Sequence, residues 1–241
     1  MCRWRGTSFR GDEHSEGARC PRCGSIARDR FLLYGFTSRH PRTGDPRLRV
    51  LETSPRLGPR YRSAMRRWFD YVASDFDLRG HEGEIQLDLQ DIALPDASLD
   101  VVLSAHVLEH VPDTDAALAE LHRILAPDGR LYLQVPLTQS RTAPPPVPEF
   151  HGDDTPVHWR FGWDLLDRLD RAGFSTTALV APGFGATDVT TEPVRGEFQL
   201  ADVVQHAPRG AMVELGGARA AAQMGWRPAF QFVTFEAVRT P

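Results

Sequence analysis

Residues 86–136 read QLDLQDIALPDASLDVVLSAHVLEHVPDTDAALAELHRILAPDGRLYLQVP. Leu99 to Ser104 is a short, strongly apolar run, the pattern of a strand buried on both faces. Thr114 to Leu125 reads as an amphipathic helix, closed by the turn Ala126-Pro127-Asp128-Gly129. Arg130 to Val135 reads as the next strand. Upstream the same alternation continues. The spacing predicts strands over 49–53, 69–74 and 84–87, ending at Glu52-Thr53, Asp75 and Asp88, and a helix over 56–68. Downstream it predicts a Pro-rich loop over 136–158, a helix over 162–173, and strands over 174–180 and 230–238. Residues 182–227 show no clear period. A leading helix is predicted over 25–37, set off by the turn residues HPRTGDP at 40–46. Such alternation means βαβ units, a mainly parallel sheet and right-handed crossovers. A last pair of strands joined by a long insert fits an antiparallel edge.

The 241 residues suffice for one large domain, or one domain with a small appendage. Net charge is −4, but it is unevenly spread. Residues 1–70 carry 16 arginines against 7 acids, and residues 71–241 carry 12 against 25. All 28 cationic residues are Arg, a compositional bias that argues against reading each one as functional. No apolar run approaches the roughly 18 residues of a membrane span, and the first residues lack a secretory apolar segment. Three cysteines are too few for a disulfide framework. The expectation is a cytoplasmic protein with no membrane partner.

Four pieces in order, Leu94-Pro95, Asp100-Val101-Val102, Leu108-Glu109-His110-Val111 and Leu125-Ala126-Pro127-Asp128-Gly129, resemble the signature of the class I S-adenosylmethionine-dependent methyltransferases. The wider resemblance covers about residues 49–181, and the head from Cys20 to Phe31 resembles a branch with a small cysteine knuckle. The implied fold is α/β: a three-layer Rossmann-like sandwich on a mostly parallel seven-stranded sheet. One antiparallel edge strand and a zinc-ribbon-like N-terminal appendage complete it. The implied division is residues 1–40 as knuckle and leading helix, and 41–241 as the methyltransferase domain. Within the latter, 136–158 is a lid loop and 182–227 an insert.

In an open α/β sheet, ligands bind beyond the carboxyl ends of the strands. The resemblance therefore assigns S-adenosylmethionine to strand-end residues. Asp75 takes the ribose hydroxyls, Asp88 the adenine amino group, and Leu89 packs the ring. Ser104, Ala105 and His106 hold the methionine ammonium through backbone carbonyls. The first motif, Glu52-Thr53-Ser54-Pro55-Arg56-Leu57-Gly58, keeps the acid and the last glycine of the usual Gly-rich loop. Arg28 and Arg30 both sit on the leading helix, and Arg30 is the choice to pair with the cofactor carboxylate.

Cys20-x-x-Cys23 is half a structural zinc site, and Cys2 and His14 are the candidates to complete it. The i, i+3, i+4 spacing of His106, Glu109 and His110 puts all three side chains on one helical face. They fit a cofactor-positioning role or a histidine general base. By resemblance to relatives holding magnesium on a similar face, they also fit a metal role. His158, on the long loop, is a third candidate base, or else a loop residue with a capping role. The function expected is methyl transfer to an oxygen or nitrogen of a small molecule, in the setting of natural product biosynthesis. The alternatives are an RNA or protein methyltransferase using the basic head, and a cofactor-binding or interaction protein without catalysis. A nucleic-acid partner is disfavoured by the acidic body and the lack of a stacking platform flanked by basic residues.

Overall fold

The computed structural model describes residues 2, 4, 6, 8–10, 18–40, 47–78, 83–151, 154–185, 200–226 and 233–241. Its centre is an eight-stranded sheet ordered β3-β2-β1-β4-β5-β10-β8-β9. The strands are β1 (Arg49–Thr53), β2 (Asp70–Asp75), β3 (Ile85–Gln86), β4 (Leu99–Ala105), β5 (Leu125–Gln134), β8 (Phe174–Val180), β9 (Met212–Glu214) and β10 (Val233–Arg239). A separate two-stranded hairpin joins β6 (Glu149–Phe150) to β7 (Pro156–Val157). All neighbours in the large sheet run parallel except β10, which is antiparallel to both β5 and β8.

Two apolar layers sandwich the sheet. One packs Leu118 and Leu121 of α3 (Thr114–Ile124) and Leu165 and Leu169 of α4 (Leu165–Arg171) against Leu51, Val102 and Leu133. The other packs Phe31 and Phe36 of α1 (Ala27–Arg39) and Met65 of α2 (Pro59–Trp68) against Val50, Val101 and Tyr132. Each fully buried side chain of this kind contributes roughly 1.5–3 kcal/mol. The three-layer α/β sandwich is thus the one expected. The helix α1 is built into the second layer, where Phe36 meets Phe69 at 5.0 Å and Tyr132 at 5.8 Å between ring centroids.

Three details differ from the sequence expectation. The sheet has eight strands where seven were expected, because three residues of the insert, β9, pair in parallel with β8 at the edge. The antiparallel strand β10 lies inside the sheet, between β5 and β8. The turn at 126–129 also becomes a bulge in β5: Leu125 pairs with Leu99, then the register slips before Arg130 meets Val101. A Cβ at Gly129 would stand 2.7 Å from the Ala126 carbonyl oxygen, so only glycine fits that bend. The remaining small elements are a 3-10 turn at Leu108–His110, α5 (Leu200–Gln205) and α6 (Ala218–Met224).

Strand order reverses at β1, which lies between β2 and β4. Chain connections leave in opposite directions there, opening a crevice at the carboxyl ends.

Candidate active site

A small cavity opens at that crevice. Glu52, Thr53 and Ser54 line it from the end of β1, and Ala105 and His106 from the end of β4. Arg28, Asp29, Leu32 and Leu33 line it from α1, and Arg56 and Leu57 from the loop after β1. Ser104 lies beneath, fully buried, and accepts a hydrogen bond from Thr53 Oγ1 at 3.0 Å.

Glu52 is held from two sides: the hydroxyls of Tyr61 and Tyr71 donate to its Oε2 at 2.8 and 2.7 Å. Burial pushes its carboxyl up to about 7, and the two hydroxyls offset part of that rise. Burial likewise raises Asp29, whose carboxylate accepts the Ile26 N–H at 3.0 Å.

The loop after β1 crosses toward β2. Ser54 adopts a left-handed backbone with φ 47°, at the first glycine position of the usual motif. Its N–H donates to the Ser74 carbonyl at 2.7 Å and its Oγ to Asp75 Oδ2 at 2.9 Å. The conformation survives without glycine because these two bonds fix it. Gly58, the retained glycine, is extended and precedes α2, whose first residue is Pro59.

Asp75 ends β2 and is 7% exposed, with Oδ1 also accepting the Asp77 N–H at 3.2 Å. Asp88 follows β3 and accepts the Gln90 N–H at 2.9 Å. Leu89 is buried in the first apolar layer. These three lie outside the lining of the cavity between β1 and β4. The exposed apolar surface beside Asp75 belongs to Phe76, 68% exposed, which sequence reasoning did not single out.

Past β4, His106 has φ 56° and donates its N–H to the Gln134 carbonyl at 2.8 Å. Glu109 is 1% exposed, and neither of its carboxylate oxygens accepts a hydrogen bond among the described residues. His106 Nδ1 and His110 Nε2 approach its Oε1 at 3.5 and 3.8 Å. Burial pushes the Glu109 carboxyl up, but the two imidazoles, His106 foremost, bring it below the usual range.

The Pro-rich loop docks on this turn. His158 and Trp159 both donate their main-chain N–H to the Glu109 carbonyl, at 2.8 and 3.2 Å. His110 Nδ1 meets the Pro156 carbonyl at 2.7 Å, and Trp159 Nε1 donates to the Pro112 carbonyl at 3.0 Å. The His110 and His151 rings meet edge to face at 4.6 Å. So His110 is engaged in holding the loop, while the His158 imidazole makes no hydrogen bond among the described residues. The His106/Glu109/His110 set does not form a close group of three metal-ligating atoms among the described residues.

Arg30 is turned away from the cavity between β1 and β4. Its guanidinium donates to the carbonyls of Ala18, Ser25 and Met224 and lies 4.3 Å over the Phe9 ring. It braces the head. Arg28, two residues earlier, lines the cavity instead. In the head, the sulfurs of Cys2, Cys20 and Cys23 all lie within 4.8 Å of one another, with Cys2 and Cys20 at 3.7 Å. Four thiolates about 2.3 Å from a tetrahedral zinc stand about 3.8 Å apart, so the three cysteines fit three corners of such a site. His14 lies outside the described residues.

The methyltransferase-domain family matches residues 27–179, from α1 to the penultimate residue of β8. The chain belongs to the class I S-adenosylmethionine-dependent methyltransferases. A relative from Mycolicibacterium smegmatis, named "probable S-adenosylmethionine-dependent methyltransferase", is 29% identical over 127 residues. The match covers 50% of this chain and 48% of that one, so the chain spans about half of that relative's length. Among solved structures, an S-adenosylmethionine-dependent methyltransferase from Mesorhizobium loti superposes with TM-score 0.50 at 18% identity, over 87% of this chain and 98% of that one. A Burkholderia thailandensis 1,6-didemethyltoxoflavin-N1-methyltransferase, solved with that compound and S-adenosylhomocysteine, superposes with TM-score 0.50 at 13% identity, over 89% and 78%. At these identities the superpositions speak for the methyltransferase fold. No helix among the described residues is long and apolar enough to cross a membrane.

Proposed function

We propose that this methyltransferase-family chain moves the methyl group of S-adenosylmethionine to an oxygen or nitrogen of a small molecule of secondary metabolism. The observation that carries the reading is the cavity between β1 and β4, with His106 on its wall and the Pro-rich loop hydrogen-bonded one turn away. When bound, S-adenosylmethionine supplies an electrophilic methyl group on a sulfonium. The chain's part is alignment and proton removal. Glu52, Thr53, Gly58, Ser104 and Ala105 form the methionine end of the site in this reading. Asp75, Asp88 and Leu89 form the adenosine end, with Phe76 beside Asp75. Arg28, in place of Arg30, takes the carboxylate, since Arg28 lines the cavity and the Arg30 guanidinium is directed to the head. Residues 136–158 act as the lid over the acceptor. His158, whose imidazole makes no hydrogen bond among the described residues, is the leading base, with His106 on the cavity wall and His110 serving the lid. The head carries a structural zinc on Cys2, Cys20 and Cys23, with His14 as fourth ligand.

The test is incubation with methyl-labelled S-adenosylmethionine and a fractionated lysate. Label in the low-molecular-weight fraction supports the proposal, and label confined to RNA or protein overturns it. Cofactor binding without label in any fraction points to a protein without catalysis.

One observation favours the RNA reading as a second. A larger cavity lies between the cysteine head and α2, and its lining includes Arg22, Arg30 and Arg60 and, among the described residues, no acid. Affinity for tRNA or rRNA that falls steeply with salt would support it.

A further inference from the structure

His106 Nδ1 stands between two groups that make opposite demands on it. Arg28 Nη1 approaches at 3.5 Å from α1, and Glu109 Oε1 approaches at 3.5 Å from the turn after β4. A guanidinium can only donate, and a carboxylate can only accept. One ring nitrogen serves the first as a lone pair and the second as an N–H, never both. The carboxylate is the group left wanting: it is 1% exposed and accepts no hydrogen bond among the described residues. A buried carboxylate without a donor is costly, so Glu109 draws toward itself any proton that Nδ1 can hold.

From this geometry we infer that Arg28 and Glu109 form a tautomer switch on His106, operated by the cofactor. The inference rests on the proposed cofactor site. Without the cofactor, Arg28 donates to Nδ1, and the proton of the neutral ring sits on Nε2. When a carboxylate in the cavity engages Arg28 in a bidentate pair, the guanidinium no longer holds Nδ1. The ring proton then passes through solvent exchange from Nε2 to Nδ1 and hydrogen-bonds Glu109, with no net change in charge. Nε2 is left with a free lone pair, the form that accepts a proton from an acceptor hydroxyl or ammonium. Glu109 is thus a positioning residue acting through His106, and an occupied cofactor site makes the base. The other titratable or charged groups on the cavity wall are Asp29, Glu52 and Arg56, and His110 Nε2 approaches the same Glu109 oxygen at 3.8 Å. His110 is not switched in this way, because its Nδ1–H donates to the Pro156 carbonyl of the loop and that bond fixes its tautomer whether or not the cavity is filled.

The test needs no acceptor. Long-range proton–nitrogen correlation spectra of ¹⁵N-histidine-labelled full-length protein report which ring nitrogen of His106 carries hydrogen. They are recorded free, with saturating S-adenosylhomocysteine, and for Arg28→Met and Glu109→Gln. The expected result is a pyridine-like Nδ1 in the free protein and a pyrrole-like Nδ1 with S-adenosylhomocysteine. Arg28→Met should show the pyrrole-like Nδ1 without any ligand, and Glu109→Gln should weaken the ligand-driven change. The same tautomer in free, bound and Arg28→Met protein overturns the switch. Calorimetry on the same samples separates the two claims. Heat of binding without a tautomer change refutes the switch and leaves the cofactor site standing. No heat refutes the cofactor site, and the Arg28→Met spectrum alone then decides whether Arg28 and Glu109 compete.

Discussion

The main-chain N–H of His158 donates to the carbonyl oxygen of Glu109 at 2.8 Å. The loop that carries a candidate base is thereby tied by backbone to the turn that carries two more. Because the tie is main chain, the His158 side chain can be removed without releasing the loop. His158→Ala should lower turnover by ~10²–10⁴, the usual range for a general base, with cofactor affinity unchanged. Steady-state kinetics on the acceptor found by labelling checks this. Unchanged turnover would leave His158 as a loop residue only, and lost cofactor affinity would assign the loop to the cofactor site.

The buried Glu52 gives a pH dependence with a definite sign. Its carboxyl titrates at about 7 in the folded chain against an ordinary value of 4.5, burial being the main cause. A raised pKa stabilises the fold fully below the ordinary value and loses that contribution as pH rises through the folded one. Wild-type stability should therefore fall between about pH 4.5 and 7 relative to Glu52→Gln, by up to about 3 kcal/mol. Urea midpoints for both proteins at pH 5 and pH 8 read the difference, and parallel curves would contradict it. A cationic ligand in the cavity favours the ionised carboxylate, so cofactor affinity should rise over the same window.

Arg30 ties three carbonyls to α1, those of Ala18, Ser25 and Met224. Arg30→Met keeps the apolar stem but takes the guanidinium away from the Ala18 and Met224 carbonyls, and leaves the Ser25 carbonyl with the Cys20 N–H alone. A destabilisation of about 2–3 kcal/mol is expected in chemical denaturation, together with looser metal retention by the head. Cofactor affinity should hold, because Arg30 does not line the cavity between β1 and β4. A large loss of affinity with stability intact would return Arg30 to the cofactor site.

Elemental analysis should find one zinc per chain, with Cys20→Ser losing it and lowering the thermal midpoint. Protein that holds no zinc after mild purification, and whose stability ignores chelators, would refute the zinc site.

How much of this was legible in the sequence varies with physical cause. β4 and α3 were readable because burial on both faces leaves an unbroken apolar run, and a half-buried helix leaves a stripe; β5 was readable only from Arg130, because Pro127, Asp128 and Gly129 at its bulge carry the pattern of a turn. β9 was not, since Met212-Val213-Glu214 is partly exposed and too short to show a period. The strand at β10 was expected, but its interior place depends on where the insert returns the chain, which no local pattern encodes. The division at residue 40 and the lid remain proposals. On the helix, Arg28 and Arg30 are about 200° apart around the axis, so they face different surroundings. The sequence shows both, but only packing decides which one meets the cavity. Glu109 was visible as a motif residue, yet its lack of a hydrogen-bond donor is a property of three dimensions alone.

The claim on which the rest depends is that the crevice between β1 and β4 recognises S-adenosylmethionine with Asp75 at its adenosine end. Titration calorimetry of S-adenosylhomocysteine into the wild-type chain and Asp75→Ala tests it most directly. One site per chain is expected in the wild type, and a loss of about 1–3 kcal/mol of binding free energy in the variant, the cost of unpaired hydrogen-bonding groups. No binding by folded wild-type protein at millimolar ligand, or equal affinity in the two proteins, would contradict it.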